Sequence, residues 1–78
     1  MNNSKDSIRY EIIEHLHVLS ETGATVKQAN VVSWYGAEPV LDIRNWSKDG
    51  KPLRGITISK SELSEFVTIL DEYFERQE

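Results

Sequence analysis

The chain has 78 residues, a net charge of −4 and no cysteine. Folding at this size buries only about 60% of the surface that the unfolded chain exposes. With no disulfide and no metal-ligand cluster to staple so small a core, oligomerisation is the expected source of further burial. The same composition excludes thiol chemistry. Residues 1–6 are polar with no apolar core behind them, so no secretory leader is expected, and apolar runs of two or three residues are too short to cross a bilayer. A cytoplasmic protein is the expectation.

Residues 1–8 read as a disordered start, and residues 9–78 as one domain. From Ile12 to Leu19 the pattern alternates past Ile13, with Leu16 and Val18 on one side and His15 and His17 on the other, which favours a first strand. A helix over residues 7–19 also fits, because Ile12, Ile13 and Leu16 recur at helical spacing. Residues 20–25, with Gly23, have turn composition. Residues 26–34 then carry β-branched and aromatic residues up to Trp34, bounded by Gly36 and Pro39, and give a second strand. Residues 40–46 alternate most clearly, with Leu41 and Ile43 on one face and Asp42, Arg44 and Trp46 on the other. The Asp49-Gly50 pair and Pro52 mark a reversal before a fourth strand over residues 53–59.

The last element is the best marked. Ser59 and Glu62 have capping-box spacing, after which Leu63, Phe66, Val67, Leu70, Tyr73 and Phe74 recur at helical intervals, with Ile69 widening the apolar side. Three short connections imply an antiparallel meander. The fold class is therefore α+β: a four-stranded antiparallel curved sheet followed by one C-terminal helix (ββββα). One helix can cover only one face of that sheet, so the other is left to solvent, a partner or a ligand. Phe66, Leu70, Tyr73 and Phe74 form a broader apolar stripe than a small sheet needs, so they are the expected homodimer interface.

Charge is polarised along the chain. Residues 60–78 hold six acids and two bases, which accounts for the whole net charge, whereas residues 24–59 hold five bases and three acids. A basic sheet beside an acidic helix is a dipolar molecule that the total conceals.

Catalysis finds little support. His15 and His17 at strand spacing offer only two ligands and no organised carboxylates join them, so neither a metal nor a cofactor is expected. No glycine-rich phosphate loop or serine-nucleophile signature is present, and the chain is read as a non-enzyme. The aromatic and basic residues of the sheet are more informative. Trp34, Tyr35 and Trp46 lie at or near strand ends, with Lys27, Arg44, Lys48, Lys51 and Arg54 around them. Unpaired bases stack on such rings while lysine and arginine follow the phosphates. Tryptophans filling the core of a small sheet explain the same composition about equally well. Trp46, on the parity of Arg44, escapes that explanation better than Trp34, which shares parity with Val32 and can turn inward.

The segment VSWYGAEPVLDIRNWSKDGKPLRGITIS, followed by an amphipathic helix, resembles the bacterial YdbC-like branch of the transcriptional coactivator family typified by positive cofactor four. The resemblance runs from about Glu11 onward. Its most specific parts are the strand with Asp42, Ile43, Arg44 and Trp46 and the strand with Arg54, Gly55, Ile56, Thr57 and Ile58. It implies a homodimer whose helices pair across a two-fold axis and whose curved sheets bind single-stranded DNA independently of sequence. Position by position, it implies that Arg44 contacts the DNA backbone, that Trp46 stacks a base, and that Tyr35 and Arg54 fall at an aromatic and a basic site residue. Lys27 falls near a family lysine at the start of the second strand. Where eukaryotic relatives have further lysines in the turn between the second and third strands, this chain has Gly36, Ala37, Glu38 and Pro39, so the expected phosphate-contacting set is thinner. The serine-rich acidic N-terminal region of those relatives is also missing, which favours a bare DNA-binding core over a coactivator.

The sequence therefore points to a cytoplasmic, nucleoid-associated homodimer that binds single-stranded DNA, or RNA, in transcription, replication or repair. The alternative is a protein-interaction module that uses the open sheet face, with the tryptophans as anchors.

Overall fold

The structure is a computed structural model and describes residues 8–77. Strands β1 (Tyr10–Glu21), β2 (Thr25–Trp34), β3 (Val40–Ser47) and β4 (Pro52–Ile58) form one sheet in the order β1-β2-β3-β4. Each neighbouring pair is antiparallel. A 3₁₀ turn, Lys60–Glu62, leads into helix α1 (Leu63–Arg76). The expected ββββα fold is present. The disordered start expected for residues 1–8 lies outside the described residues except at Ile8, which is exposed ahead of β1.

Local chemistry sets each reversal. Between β1 and β2 the Thr22 hydroxyl accepts the Ala24 and Thr25 amides at 3.2 and 3.0 Å. Between β2 and β3, Tyr35 and Gly36 both take positive φ (54° and 78°), and the Ala37 amide closes on the Trp34 carbonyl at 2.9 Å. This is the turn whose twist matches paired strands, with an aromatic where glycine or asparagine is usual. Between β3 and β4, Gly50 at φ 93° lets the chain fold back so that the Ser47 amide donates to the Lys51 carbonyl at 2.9 Å. At the start of the helical segment the Ser59 amide donates to Glu62 Oε1 at 2.8 Å, and that bond holds the Glu62 carboxyl below its ordinary value.

The sheet is strongly curled. β1 has three register shifts against β2, between Ile12 and Glu14, His15 and His17, and Val18 and Ser20, and β4 shifts against β3 between Arg44 and Trp46. Such bulges bend a strand and increase its twist. As a result Tyr10, on one edge strand, reaches the turn beyond β3: its hydroxyl donates to the Gly50 carbonyl at 3.3 Å, and its ring lies 5.4 Å from Trp34 and 5.5 Å from Trp46. The inner side carries Asn30, Val32, Asp42 and Trp46, all buried.

Two expectations change here. The alternation that set His15 and His17 on one side fails, because His15 pairs with Asn30 and His17 with Ala29, and those neighbours on β2 face opposite ways. The helix also covers less of the sheet than expected. Its first turns lean on the outer face near Ile58, where Leu63, Leu41 and Val31 line one cleft and Phe66, Ile69 and Ile56 another. No residue of α1 is buried. Curling buries Asn30, Val32, Asp42 and Trp46 on the inner side without the helix. The Cα radius of gyration, 14.7 Å, exceeds the roughly 11.5 Å of a compact chain of this length, and the extents are 53 × 32 × 18 Å.

Candidate nucleic-acid interface

The inner face concentrates the aromatic residues. Tyr10 comes from β1, Trp34 from the end of β2 and Trp46 from the end of β3, and curling brings the three rings together. Behind them lies a polar layer. Arg44 donates from Nε and Nη2 to Asp42 at 2.7–3.0 Å and from Nη1 to the Leu53 carbonyl at 2.9 Å, and its guanidinium lies 4.5 Å from the Trp34 ring centre. Trp34 Nε1 donates to the same Asp42 carboxylate at 3.2 Å. Farther along the face, Asn30 Oδ1 lies 2.7 Å from His15 Nδ1, and Asn30 Nδ2 donates to Gln28 at 3.1 Å.

Two clefts open on either side of Tyr10. One, of about 250 Å³, is lined by Arg9, Tyr10, Glu11, Ser33, Tyr35 and Gly36. The other, of about 320 Å³, is lined by Ile8, Tyr10, Gly50, Lys51, Pro52 and Leu53. Each therefore has an exposed cation beside an aromatic ring. Tyr35 is the most open aromatic of the sheet region, 59% exposed, and its amide is tied to the Arg9 carbonyl at 2.8 Å. A bulky side chain in the left-handed region costs about 1–2 kcal/mol, and strain of this kind concentrates at functional positions.

The residues expected to act together divide into four groups. Trp46, expected to be outward and base-stacking, is 3% exposed, and its buried indole N–H has no protein acceptor. It does share the face of Arg44, but that face is the inner one, because the curl reverses which side is enclosed. Trp34 is half-buried on the same side. The Arg44 side chain is only 15% exposed, and three of its five N–H donors are engaged within the protein. Lys27 and Arg54 lie on the outer face instead, around a cleft with Ile43, Asn45 and Ile56. Gly55 pairs with Arg44, so its neighbour Arg54 faces the other way. Lys48 is drawn to Glu21 at 2.6 Å, and this lysine's hydrogen bond and charge lower the Glu21 carboxyl below its ordinary value. Lys51 and Tyr35 alone of the expected set are both exposed and beside the aromatic cluster.

Arg9 and Tyr10 stand outside the residues expected from the sequence. The available signal was Tyr10 at the parity of Ile12, one step before the alternation is broken. Of the expected dimer residues, Phe66 is half-buried and Leu70, Tyr73 and Phe74 are exposed. Among the described residues no group of three His, Asp or Glu side chains could hold a metal ion, and no helix is long and apolar enough to cross a membrane. No protein-family model matches the chain, and no curated protein matches it.

Proposed function

We propose that a homodimer of this chain binds single-stranded DNA, and RNA by the same chemistry, without sequence preference and without catalysis. The observation that carries this reading is the inner-face aromatic cluster of Tyr10, Trp34 and Trp46, whose Tyr10 ring lines two open clefts that bear Arg9 with Tyr35 and Lys51. Unpaired bases present flat faces to exposed rings at about 1–3 kcal/mol each, whereas a duplex keeps those faces stacked away. The resemblance to the positive cofactor four family supports the same ligand and suggests service in transcription, replication or repair on cytoplasmic, nucleoid DNA. The contacting set is redistributed relative to that resemblance: Tyr35, Trp34, Arg9 and Lys51 meet the strand, and Trp46 supports them from below. The dimer is supported by α1, whose Val67, Ile69, Leu70, Tyr73 and Phe74 are 47–66% exposed. A second copy related by a two-fold axis covers that side with the same residues.

The test is a polarisation titration of labelled oligo-dT against a duplex of equal length at low and high salt. The proposal expects binding to the single strand that weakens as salt is added, with little binding to the duplex. Absence of binding at low salt rejects it. A second reading, a protein-interaction module, is favoured by the outer face, where Ile56 is 55% exposed beside Ile43, Lys27 and Arg54. It expects a partner whose capture survives nuclease and no response to oligo-dT.

A further inference from the structure

A guanidinium that serves phosphate needs in-plane donors free to face the ligand. In Arg44 three of the five N–H donors are already committed within the protein, and the side chain is only 15% exposed. Nε and Nη2 converge on Asp42, Nη1 is on the Leu53 carbonyl, and one face of the group lies on Trp34. Asp42 is completely buried, and it also accepts the Trp34 indole N–H. One carboxylate therefore fixes both the cation and the ring. β4 is built around this unit as well: a Cβ on Gly55 would sit 1.9 Å from the Cβ of Arg44 and 2.6 Å from its Cα, so only glycine allows β4 to approach so closely. Turning Arg44 outward to a phosphate would strand a fully buried carboxylate without its counter-charge.

We infer that Asp42 is a positioning residue that clasps Arg44 and Trp34 into one rigid plate, so that Arg44 makes no phosphate contact and the phosphates are left to cations outside the clasp, Lys51 and Arg9 first. The ligand class rests on the single-strand reading above; the clasp itself is a property of the free protein and is tested there independently.

The first measurement is on the unaltered protein by NMR. The Arg44 Nε–H is protected from solvent exchange in the free state, and adding oligo-dT neither removes that protection nor shifts the resonance as a new phosphate contact would. A rapidly exchanging Arg44 Nε–H in the free protein overturns the clasp, whether or not oligo-dT binds. Loss of its protection on binding overturns the exclusion from phosphate while leaving single-strand binding intact. The second measurement is the slope of log affinity against log salt, which changes by about 0.7 for each phosphate contact to a single strand. Lys51→Gln is expected to flatten the slope by about that amount. Arg44→Gln leaves the slope unchanged while altering the near-ultraviolet circular dichroism of the tryptophans. Asp42→Asn steepens the slope, because it releases a guanidinium toward the strand. A slope that flattens by about 0.7 in Arg44→Gln, with an unaltered tryptophan spectrum, overturns the inference. If neither clasp variant folds, the exchange measurement on the unaltered protein decides.

Discussion

The curled sheet and the helix handle their apolar surface in opposite ways. Inside the sheet, Val32 is completely buried and Trp46 nearly so, without help from any second layer. On α1 no residue is buried, and Phe74 remains 66% exposed. Bulges curl the four strands around a small enclosed side, although β1 leaves Ile12, Ile13, Leu16, Val18 and Leu19 41–51% exposed, whereas a helix has only one apolar stripe. The difference teaches that bulge-driven curling gives the sheet buried residues of its own, whereas no residue of α1 is buried in the single chain.

The sharpest way to break that comparison is to remove the ring at the base of the platform. Trp46→Ala is expected to lower the unfolding free energy by about 3–5 kcal/mol in a denaturant titration. A mild effect would mean that Trp46 is a ligand-facing ring after all. On the helix, Phe74→Ser in the monomer changes an exposed side chain and should cost almost nothing. In a dimer that buries Phe74 it removes about 1.5–3 kcal/mol of apolar burial and makes the melting temperature depend on protein concentration more steeply. Light scattering at micromolar concentration separates the two, with a dimer in the parent and a larger monomer fraction in the variant.

Tyr35 sharpens the comparison further, because its expected contributions to folding and to binding have opposite signs. Tyr35→Gly relieves a left-handed tyrosine and removes the most exposed ring beside the clefts. Oligo-dT affinity is expected to fall by about 1–3 kcal/mol while thermal stability does not fall. Equal affinity would remove Tyr35 from the site.

The smallest effect concerns the start of the helical segment. The folded state lowers the Glu62 carboxyl through the Ser59 amide bond, so its contribution is fully present above the ordinary glutamate range and is lost as pH falls through the lowered value. Acid titration of the helical circular dichroism should show this loss in the parent and a flatter profile in Glu62→Gln.

Much of the fold was legible in residue order. The Ser59–Glu62 spacing and the stripe from Leu63 to Phe74 located the helical segment, and the Asp49-Gly50 pair located the last reversal. The alternation of residues 40–46 gave β3 and correctly grouped Asp42, Arg44 and Trp46. It could not say which side would be enclosed. Parity treats Leu41 and Ile43 as the inner pair because they are apolar, but curvature encloses the other side, where an aspartate can be buried only because Arg44 and Trp34 meet it. The bulges of β1 were not legible either, since a period of two has no place for the unpaired residues that separate His15 from His17. The position of Tyr10 beside both tryptophans depends on that same curl, which brings one edge strand to the turn between β3 and β4.

The most direct test of the central claim is an amide and indole chemical-shift map on adding oligo-dT to isotope-labelled protein. The account predicts the largest shifts at Arg9, Tyr10, Tyr35, Gly36, Gly50, Lys51 and the Trp34 indole N–H, with α1 unmoved. Shifts confined to α1 or to the outer face around Lys27, Ile43 and Ile56, or no shifts at all, would contradict it.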